Sequence, residues 1–401
     1  MRVLVLTNFV PYPPNAGAKI RVSNQMKYIS REHHVTLMCP VRPNSGQAED
    51  AQKLVGEYCT EVIPVPWQKR SRIKFIPHLL RYVRAGDPIG WLMYYHQELV
   101  DALRHTTATQ HFDVVSIHFS NMAPYIDAIA PNRECQTIFA LHNVPYLQWR
   151  RMMLDERNIR QKLILFRDWL FMKRATLKYI RRYDKTTVVS ELDRSILLKD
   201  APGAKVVAVP TGMDTDALRP FGKPPGFRDL MLVGSMNYRP NVGAALYLGQ
   251  EIFPLIKRRI PDARLFIVGA NVPRDVRRLG EQVEGVNVTG YVDSVLPYYE
   301  RCCLTLVPLR SGSGIRVKIL ESMSLGRPVV STSLGCEGLQ VTHDQDILIA
   351  DTASDFAEQT IRLMTQPELW QRIADNGRRL IEEVYDWRVT GQRLVRAFED
   401  G

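Results

Sequence analysis

Gly312, Gly314, Arg316, Lys318 and Glu321 fall close together in the stretch Ser311-Gly-Ser-Gly-Ile-Arg-Val-Lys-Ile-Leu-Glu321. Glycines at Gly312 and Gly314 let backbone come close to a ligand, and the amides around Ser313 and Gly314 can lead into a helix whose first N–H groups point outward, an arrangement that binds anions. A helix starting near Ile315 puts Gly314, Lys318 and Glu321 on one face by their spacings of four and three. Lys318 then sits about one turn in, with Glu321 roughly 4–5 Å further along the axis at about 1.5 Å per residue. An ammonium can meet phosphate charge, and a carboxylate can accept two hydrogen bonds from the vicinal hydroxyls of a ribose. The chemistry that fits is capture of a nucleoside diphosphate. The same spacing also fits an exposed helix carrying a Lys/Glu pair and no ligand.

Elements must hold these residues in place. Leu304 to Pro308 is an apolar run broken only by Thr305, and Arg327-Pro-Val-Val-Ser331 repeats it after a helix-length gap, as parallel strands covered on both faces would. Upstream, strands at Leu230 to Gly234, Arg264 to Gly269 and Val286 to Val288 alternate with a helix over Val242 to Ile260, which predicts a doubly wound parallel sheet. Gly290, Tyr291 and Leu296 follow the last of these strands, where they could line a base pocket. Arg239 is expected beside the phosphates. Helices from Leu369 to Tyr385 and Trp387 to Phe398 end the chain.

The first half has its own strand, loop and helix: Val3 to Leu6, the turn Pro11 to Ala18, then Lys19 to Ser30. Gly17 could therefore approach a donor phosphate or the reacting sugar. A Pro/Gly turn with no ligand accounts equally for the pattern. Further strands are expected at Val35 to Cys39, Glu61 to Val65, Phe112 to His118, Gln136 to His142 and Thr186 to Ser190, the last closing the sheet. Two of them end in histidine. Ligands of open α/β sheets bind beyond the carboxyl ends of the strands, within reach of both imidazoles.

Several motifs resemble glycosyltransferase family 4, the retaining enzymes of the GT-B fold. They are Gly290-Tyr-Val-Asp-Ser-Val-Leu-Pro-Tyr-Tyr-Glu300, the glycine stretch with Lys318 and Glu321, Gly335-Cys-Glu-Gly-Leu339, Val209-Pro-Thr-Gly-Met-Asp214 and Leu232-Val-Gly-Ser-Met-Asn-Tyr-Arg-Pro-Asn241. The resemblance implies an α/β chain of two Rossmann-like doubly wound domains facing a cleft. The expected division is an acceptor-binding domain over 1–198, a linker over 199–226, a nucleotide-sugar-binding domain over 227–384, and a helix over 385–401 that crosses back to the first domain. It further implies a nucleotide-sugar donor held by Gly17, Arg239, Gly312, Ser313, Gly314 and Glu321, with Arg316 and Lys318 on the departing diphosphate. His142-Asn143 is similar to the family's N-domain histidine, which implies that His142 orients the donor sugar; His118 is an acceptor-side candidate. Two positions depart from the pattern. The family commonly has a first glutamate where this chain has Ser313, and Arg and Lys after the first donor-domain strand, where this chain has Ser235 and no matching Lys.

Asp214-Thr-Asp216 has the form of a metal-binding pair. Its place in the linker argues against that role, and the resemblance implies metal-independent catalysis without a cofactor. Asp344-Gln-Asp346 reads as a turn. Six cysteines without Cys-x-x-Cys spacing read as free thiols in a reducing compartment. The chain enters Val3-Leu-Val-Leu6 at once, too short a run for a signal-peptide core, and no apolar run approaches the roughly 18–20 residues of a membrane span. The expectation is a cytoplasmic chain, peripheral on the inner face of the cell membrane.

The formal charge of +11 is unevenly placed: residues 1–199 carry +12 and residues 200–401 carry −1. Such asymmetry marks a polyanionic partner or a well-solvated basic surface. Two stretches combine cations with apolar groups. Between Trp67 and Arg84, Lys69, Arg70, Arg72, Lys74 and Arg81 alternate with Ile73, Phe75, Ile76, Leu79, Leu80 and Tyr82. A long helical stretch from Tyr146 to Tyr183 follows later, with Leu163, Leu165, Phe166, Trp169, Leu170 and Met172 expected mostly in a buried face. The first fits an anionic membrane surface and equally the ordinary packing of its apolar residues on the first domain; in the second, a membrane role would come from the cationic side. The basic first half as a whole fits a lipid-linked or saccharide acceptor, as in envelope or exopolysaccharide assembly. A sugar-nucleotide epimerase or hydrolase of the same fold would need the donor site without an acceptor surface. A non-catalytic basic nucleic-acid-binding protein is the third reading; no nucleic-acid motif supports it, and no nucleic-acid partner is expected.

Overall fold

In a computed structural model, residues 1–14, 17–67, 78, 82, 84–131, 134–156 and 158–399 are described. Of the basic and apolar stretch after Trp67, Lys69, Arg70, Arg72, Ile73, Lys74, Phe75, Ile76, Leu79, Leu80 and Arg81 lie outside the described residues. The chain forms two compact units, Met1–Gly212 with Thr390–Gly401, and Met213–Val389.

The first unit is built on seven parallel strands: β1 (Arg2–Leu6), β2 (His34–Val41), β3 (Glu61–Pro66), β4 (Val114–His118), β5 (Gln136–Ala140), β6 (Lys185–Val188) and β7 (Val206–Ala208), in the order β3-β2-β1-β4-β5-β6-β7. Leu4, Val115, Ile117, Ile138 and Phe139 are fully buried, as helices on both faces of a parallel sheet require. Those helices are α1 (Gly17–Ile29), α2 (Gln47–Gln52), α3 (Gln97–Thr109), α4 (Pro145–Asp155), α5 (Ile159–Ile180) and α6 (Glu191–Asp200). The strand order reverses between β1 and β4, and the crevice beyond their carboxyl ends is where such sheets hold ligands.

Two expectations are corrected here. The sheet continues past β6 to β7, through the pairing of Thr186 with Val206; a three-residue edge strand is too short to show a period. The stretch Tyr146 to Tyr183 is two helices, interrupted between Asp155 and Ile159, where Asn158 caps α5 by accepting the amides of Arg160 and Gln161. Leu163 and Phe166, expected to be buried, are 62 % and 46 % exposed. The core takes up the second half of this 22-residue helix through Met172, Ala175, Thr176, Tyr179 and Ile180, whereas in the first half only Leu165 is buried.

The second unit repeats the design with β8 (Asp229–Val233), β9 (Arg264–Val268), β10 (Val286–Gly290), β11 (Leu304–Val307), β12 (Val329–Ser331) and β13 (Leu348–Ile349), all parallel, in the order β10-β9-β8-β11-β12-β13. Its helices are α7 (Arg239–Tyr247), which runs through a π turn at Leu248–Ile252 into α8 (Phe253–Arg259), then α9 (Arg274–Gln282), α10 (Leu296–Arg301), α11 (Val317–Ser324), α12 (Ala353–Thr365) and α13 (Pro367–Leu380). The order reverses between β8 and β11. Charged groups brace the sheet away from that point: buried Asp229, at the start of β8, accepts from Arg264 and Arg301, each at 2.6 Å. Arg327 is also buried, and its guanidinium donates to the carbonyls of Tyr299, Gly222 and Glu300.

The last helix, α14 (Trp387–Glu399), belongs to the first unit from Thr390 onward. Gly391 lies against the ring of Tyr28, too close for any Cβ, and Lys185 Nζ donates to the Ala397 carbonyl at 2.7 Å. The six cysteines are unpaired. No helix among the described residues is long and apolar enough to cross a membrane.

Candidate functional site

In the second unit the loops after β8 and β11 bound the crevice where the strand order reverses. Val233 ends β8, and Gly234 follows with φ +152°. A Cβ there would fall 2.6 Å from Asn241 Nδ2 and 2.8 Å from Lys318 Nζ, so only glycine lets the lysine lie over this turn. Lys318 Nζ donates to Asn241 Oδ1 at 2.8 Å, and Asn241 Nδ2 donates to the Ser235 carbonyl at 2.8 Å. The ammonium is thereby fixed over the first loop from the helix of the second. Burial brings the Lys318 pKa down to about 7; neighbouring Arg316 adds to the shift and Glu321 opposes it.

The helix carrying it starts two residues later than expected, with Arg316 at the cap. Gly314 therefore precedes the helix and does not share its face; positive φ at Gly312 and Gly314 bends the chain before the first turn. Around Gly312 the fit is close. A Cβ would stand 2.6 Å from the Tyr238 hydroxyl and 3.3 Å from Arg316 Nη2. Arg316 is buried and its Nη1 donates to the Gly314 carbonyl, folding the guanidinium back over the loop. Arg239 is exposed as the first residue of α7, next to Tyr238.

One turn beyond Lys318, Glu321 Oε2 accepts from the Tyr299 hydroxyl at 3.0 Å. Burial raises the Glu321 pKa, against the pull of that hydrogen bond and of Lys318. Gly290 closes β10, and its carbonyl accepts the Gly269 amide at 3.1 Å. Tyr291 and Leu296 stand largely exposed, 69 % and 41 %. The fold thus gathers Gly312, Arg316 and Lys318 on one side of the crevice, sets Glu321 one turn further along the helix, and leaves Tyr291 and Leu296, the side chains expected to line a base pocket, at the surface.

The first unit has a polar cluster of its own. His118 Nδ1 lies 3.2 Å from His142 Nε2, and His118 Nε2 lies 3.3 Å from Ser116 Oγ. His142 stands two residues past the end of β5 and stacks on Phe119, with ring centroids 4.0 Å apart. Burial lowers the His118 pKa to about 3, and Arg21 adds to the shift. His142 is lowered in the same direction by burial, Arg21 and His118. Both rings are neutral near pH 7. Arg21 is buried on α1 and donates to Thr211 Oγ1 at 2.6 Å and to the Val209 carbonyl at 2.8 Å. Gly17, one turn before it, is exposed at the start of α1.

Three contributors were not singled out from sequence: Asn241, Tyr299 and Arg21. The first two stand inside motifs already marked by glycines, which was the available signal. Asp214-Thr-Asp216 holds its own backbone: Asp214 Oδ1 accepts the amides of Asp216 and Ala217, and the Thr215 hydroxyl bonds to Asp386.

Two doubly wound units, the second with a glycine loop, a lysine held over the first loop and a carboxylate one turn further along the same helix, define an α/β protein of the GT-B fold. Residues 16–217, half of the chain, match the model of Glycosyltransferase Family 4, and residues 228–366 match that of Glycosyl transferases group 1. The chain belongs to glycosyltransferase family 4. A protein of Klebsiella pneumoniae described as an uncharacterized 44.6 kDa protein in cps region is 21 % identical over 403 residues, covering 96 % of each chain. Sucrose-phosphate synthase from Thermosynechococcus elongatus has a similar fold, with TM-score 0.73, 15 % identity, and coverage of 100 % of this chain and 98 % of that one. So does Anabaena Alr3699/HepE, whose structure is a complex with UDP-glucose, with TM-score 0.69, 12 % identity and full coverage of both chains.

Proposed function

We propose that this glycosyltransferase is a retaining, metal-independent hexosyltransferase that moves a sugar from a nucleotide diphosphate to an acceptor hydroxyl during envelope or exopolysaccharide assembly. The observation that carries the reading is Lys318, held by Asn241 over Gly234, with Glu321 one turn deeper on the same helix. In the reaction the bond from the anomeric carbon to the diphosphate oxygen breaks and its electron pair leaves with the diphosphate. The acceptor oxygen bonds to that carbon on the same face, and its proton passes to the diphosphate. Lys318, Arg316 and the amides near Ser313 and Gly314 stabilise the departing charge, with Arg239 as a further cation at the start of α7. Glu321 receives the ribose hydroxyls, and Tyr299 keeps the carboxylate in one orientation. Tyr291 and Leu296 border the base beside Gly290.

In the first unit His142 orients the donor sugar, Gly17 offers backbone to it and His118 stands on the acceptor side. The relationship to a protein of a Klebsiella cps region supports a polysaccharide acceptor, and the UDP-glucose complex of Alr3699/HepE supports a nucleotide-sugar donor. The test is incubation of the purified protein with a panel of sugar nucleotides, with and without lipid-linked saccharides. Transfer with retained anomeric configuration, unaffected by EDTA, is expected. Release of free sugar or an epimer from the donor alone, undiminished by acceptor, would replace the proposal with a hydrolase or epimerase.

A further inference from the structure

The hairpin of α4 and α5 carries six of the large apolar side chains that the chain leaves exposed: Leu154, Ile159, Leu163, Ile164, Phe166 and Phe171. A helix that packs only against its own domain would turn such residues inward. Between Ile159 and Phe171 Leu165 alone is buried, whereas the second half of α5 sinks Met172, Ala175, Thr176, Tyr179 and Ile180 into the core. The first half is therefore held by its continuation and by α4, with its outer face uncovered.

That face is ordered. Arg160, Arg167 and Arg174 recur every seven residues, which at about 100° per residue places them in one row along the helix. Ile159, Leu163 and Phe166 lie on one side of this row, and Ile164 and Phe171 on the other. All three arginines are exposed. The sequence from Pro145 to Tyr183 holds eleven Lys and Arg against three Asp and Glu. A row of guanidinium groups between two rows of apolar side chains matches the layering of a bilayer surface, where anionic headgroups lie just above the acyl boundary.

We infer that this face of α4 and α5 docks the protein on an anionic lipid bilayer. Leu163, Phe166 and their neighbours enter the acyl boundary while Arg160, Arg167 and Arg174 bind headgroup phosphates. The inference rests on the proposed transfer to a lipid-linked acceptor, because docking brings the first unit to the surface in which such an acceptor is anchored. A second copy of the chain is the competing occupant, and the charge argues against it: copies meeting on this face would oppose rows of like charge.

The full chain would be sedimented at low salt with vesicles of phosphatidylglycerol or of phosphatidylcholine. Capture at least tenfold stronger on phosphatidylglycerol is expected. Leu163→Ser with Phe166→Ser, and separately Arg160→Glu with Arg167→Glu and Arg174→Glu, should each lower that capture at least about tenfold, since each cation near the surface is worth about a factor of five. Ile159→Ser with Phe171→Ser replaces the first pair should it fail to fold. Equal capture on both lipids, none on either, or capture unchanged in the variants overturns the inference. So does a dimer in the ultracentrifuge that the serine pair dissolves. A thermal shift with UDP-glucose, measured on the same samples, reads the donor site alone and so tells failure of docking from failure of the proposed function.

Discussion

Lys318 Nζ lies 2.8 Å from Asn241 Oδ1, joining the helix after β11 to the first turn of α7, the helix after β8. With its pKa brought down to about 7 by burial, with Arg316 adding, the ammonium is charged in only about half the molecules at neutral pH. A pyrophosphate diester, whose charge is constant near neutral pH, binds the charged form and raises that pKa. Above pH 7 the complex then holds more protons than the free protein, so affinity falls as pH rises. UDP-glucose should bind several-fold more weakly at pH 8.5 than at pH 6.5, with proton uptake measurable by calorimetry in buffers of different ionisation enthalpy. Lys318→Arg should flatten the profile.

Tyr299 and Glu321 meet at 3.0 Å, and the hydroxyl is what keeps the carboxylate from turning. Tyr299→Phe leaves the packing of a fully buried ring intact and removes one hydrogen bond, a stability cost of about 1 kcal/mol. Donor affinity should drop three- to tenfold. A melting temperature within a few degrees of the parent, measured alongside the titration, separates the two effects.

Gly234 admits no side chain. Gly234→Ala sets a methyl group 2.8 Å from Lys318 Nζ on a backbone with φ +152°, so the lysine must leave its Asn241 partner. Donor binding should fall at least tenfold, with a loss of roughly 1–3 kcal/mol in stability. Gly222→Ala, where no atom crowds a Cβ, is the control and should bind as the parent does.

In the first unit burial holds His118 near pKa 3, against an ordinary value of about 6.5 in the unfolded chain. Between these values the unfolded state binds more protons. The stability is therefore complete above pH 6.5 and is lost as pH falls toward 3, at up to about 1.4 kcal/mol per pH unit for one histidine. Thermal melts at pH 7 and pH 5 should show a smaller drop for His118→Gln, which can still bond to His142. An equal drop in parent and variant would place the acid sensitivity elsewhere.

Much of this architecture is legible in the chain itself. Val3 to Leu6 is a continuous apolar run, and Leu304 to Val307 is one broken only by buried Thr305, because their strands are covered on both faces, and glycines stand where the backbone takes positive φ, as at Gly312 and Gly314. Partners remote in sequence are not legible: Asn241 stands 77 residues from Lys318, and Arg21 meets Thr211 across 190. Nor does a pattern of spacing tell a buried apolar face from an exposed one. Leu163 and Leu165 lie about 200° apart on α5, both leucines, and the sequence does not say which of the two faces meets the core. Ile315 and Arg316 each fit a first turn by type, but the positive φ at Gly314 and the non-helical ψ of 88° at Arg316 delay the helix to Val317.

In the proposed function the second unit holds a nucleoside diphosphate through Lys318 and Glu321. Calorimetric titration of UDP and GDP into the parent, Lys318→Ala and Glu321→Ala measures this directly. Binding of at least one nucleotide by the parent is expected, weakened at least tenfold in each variant, with melting temperatures near that of the parent. Equal affinity in all three proteins would contradict it.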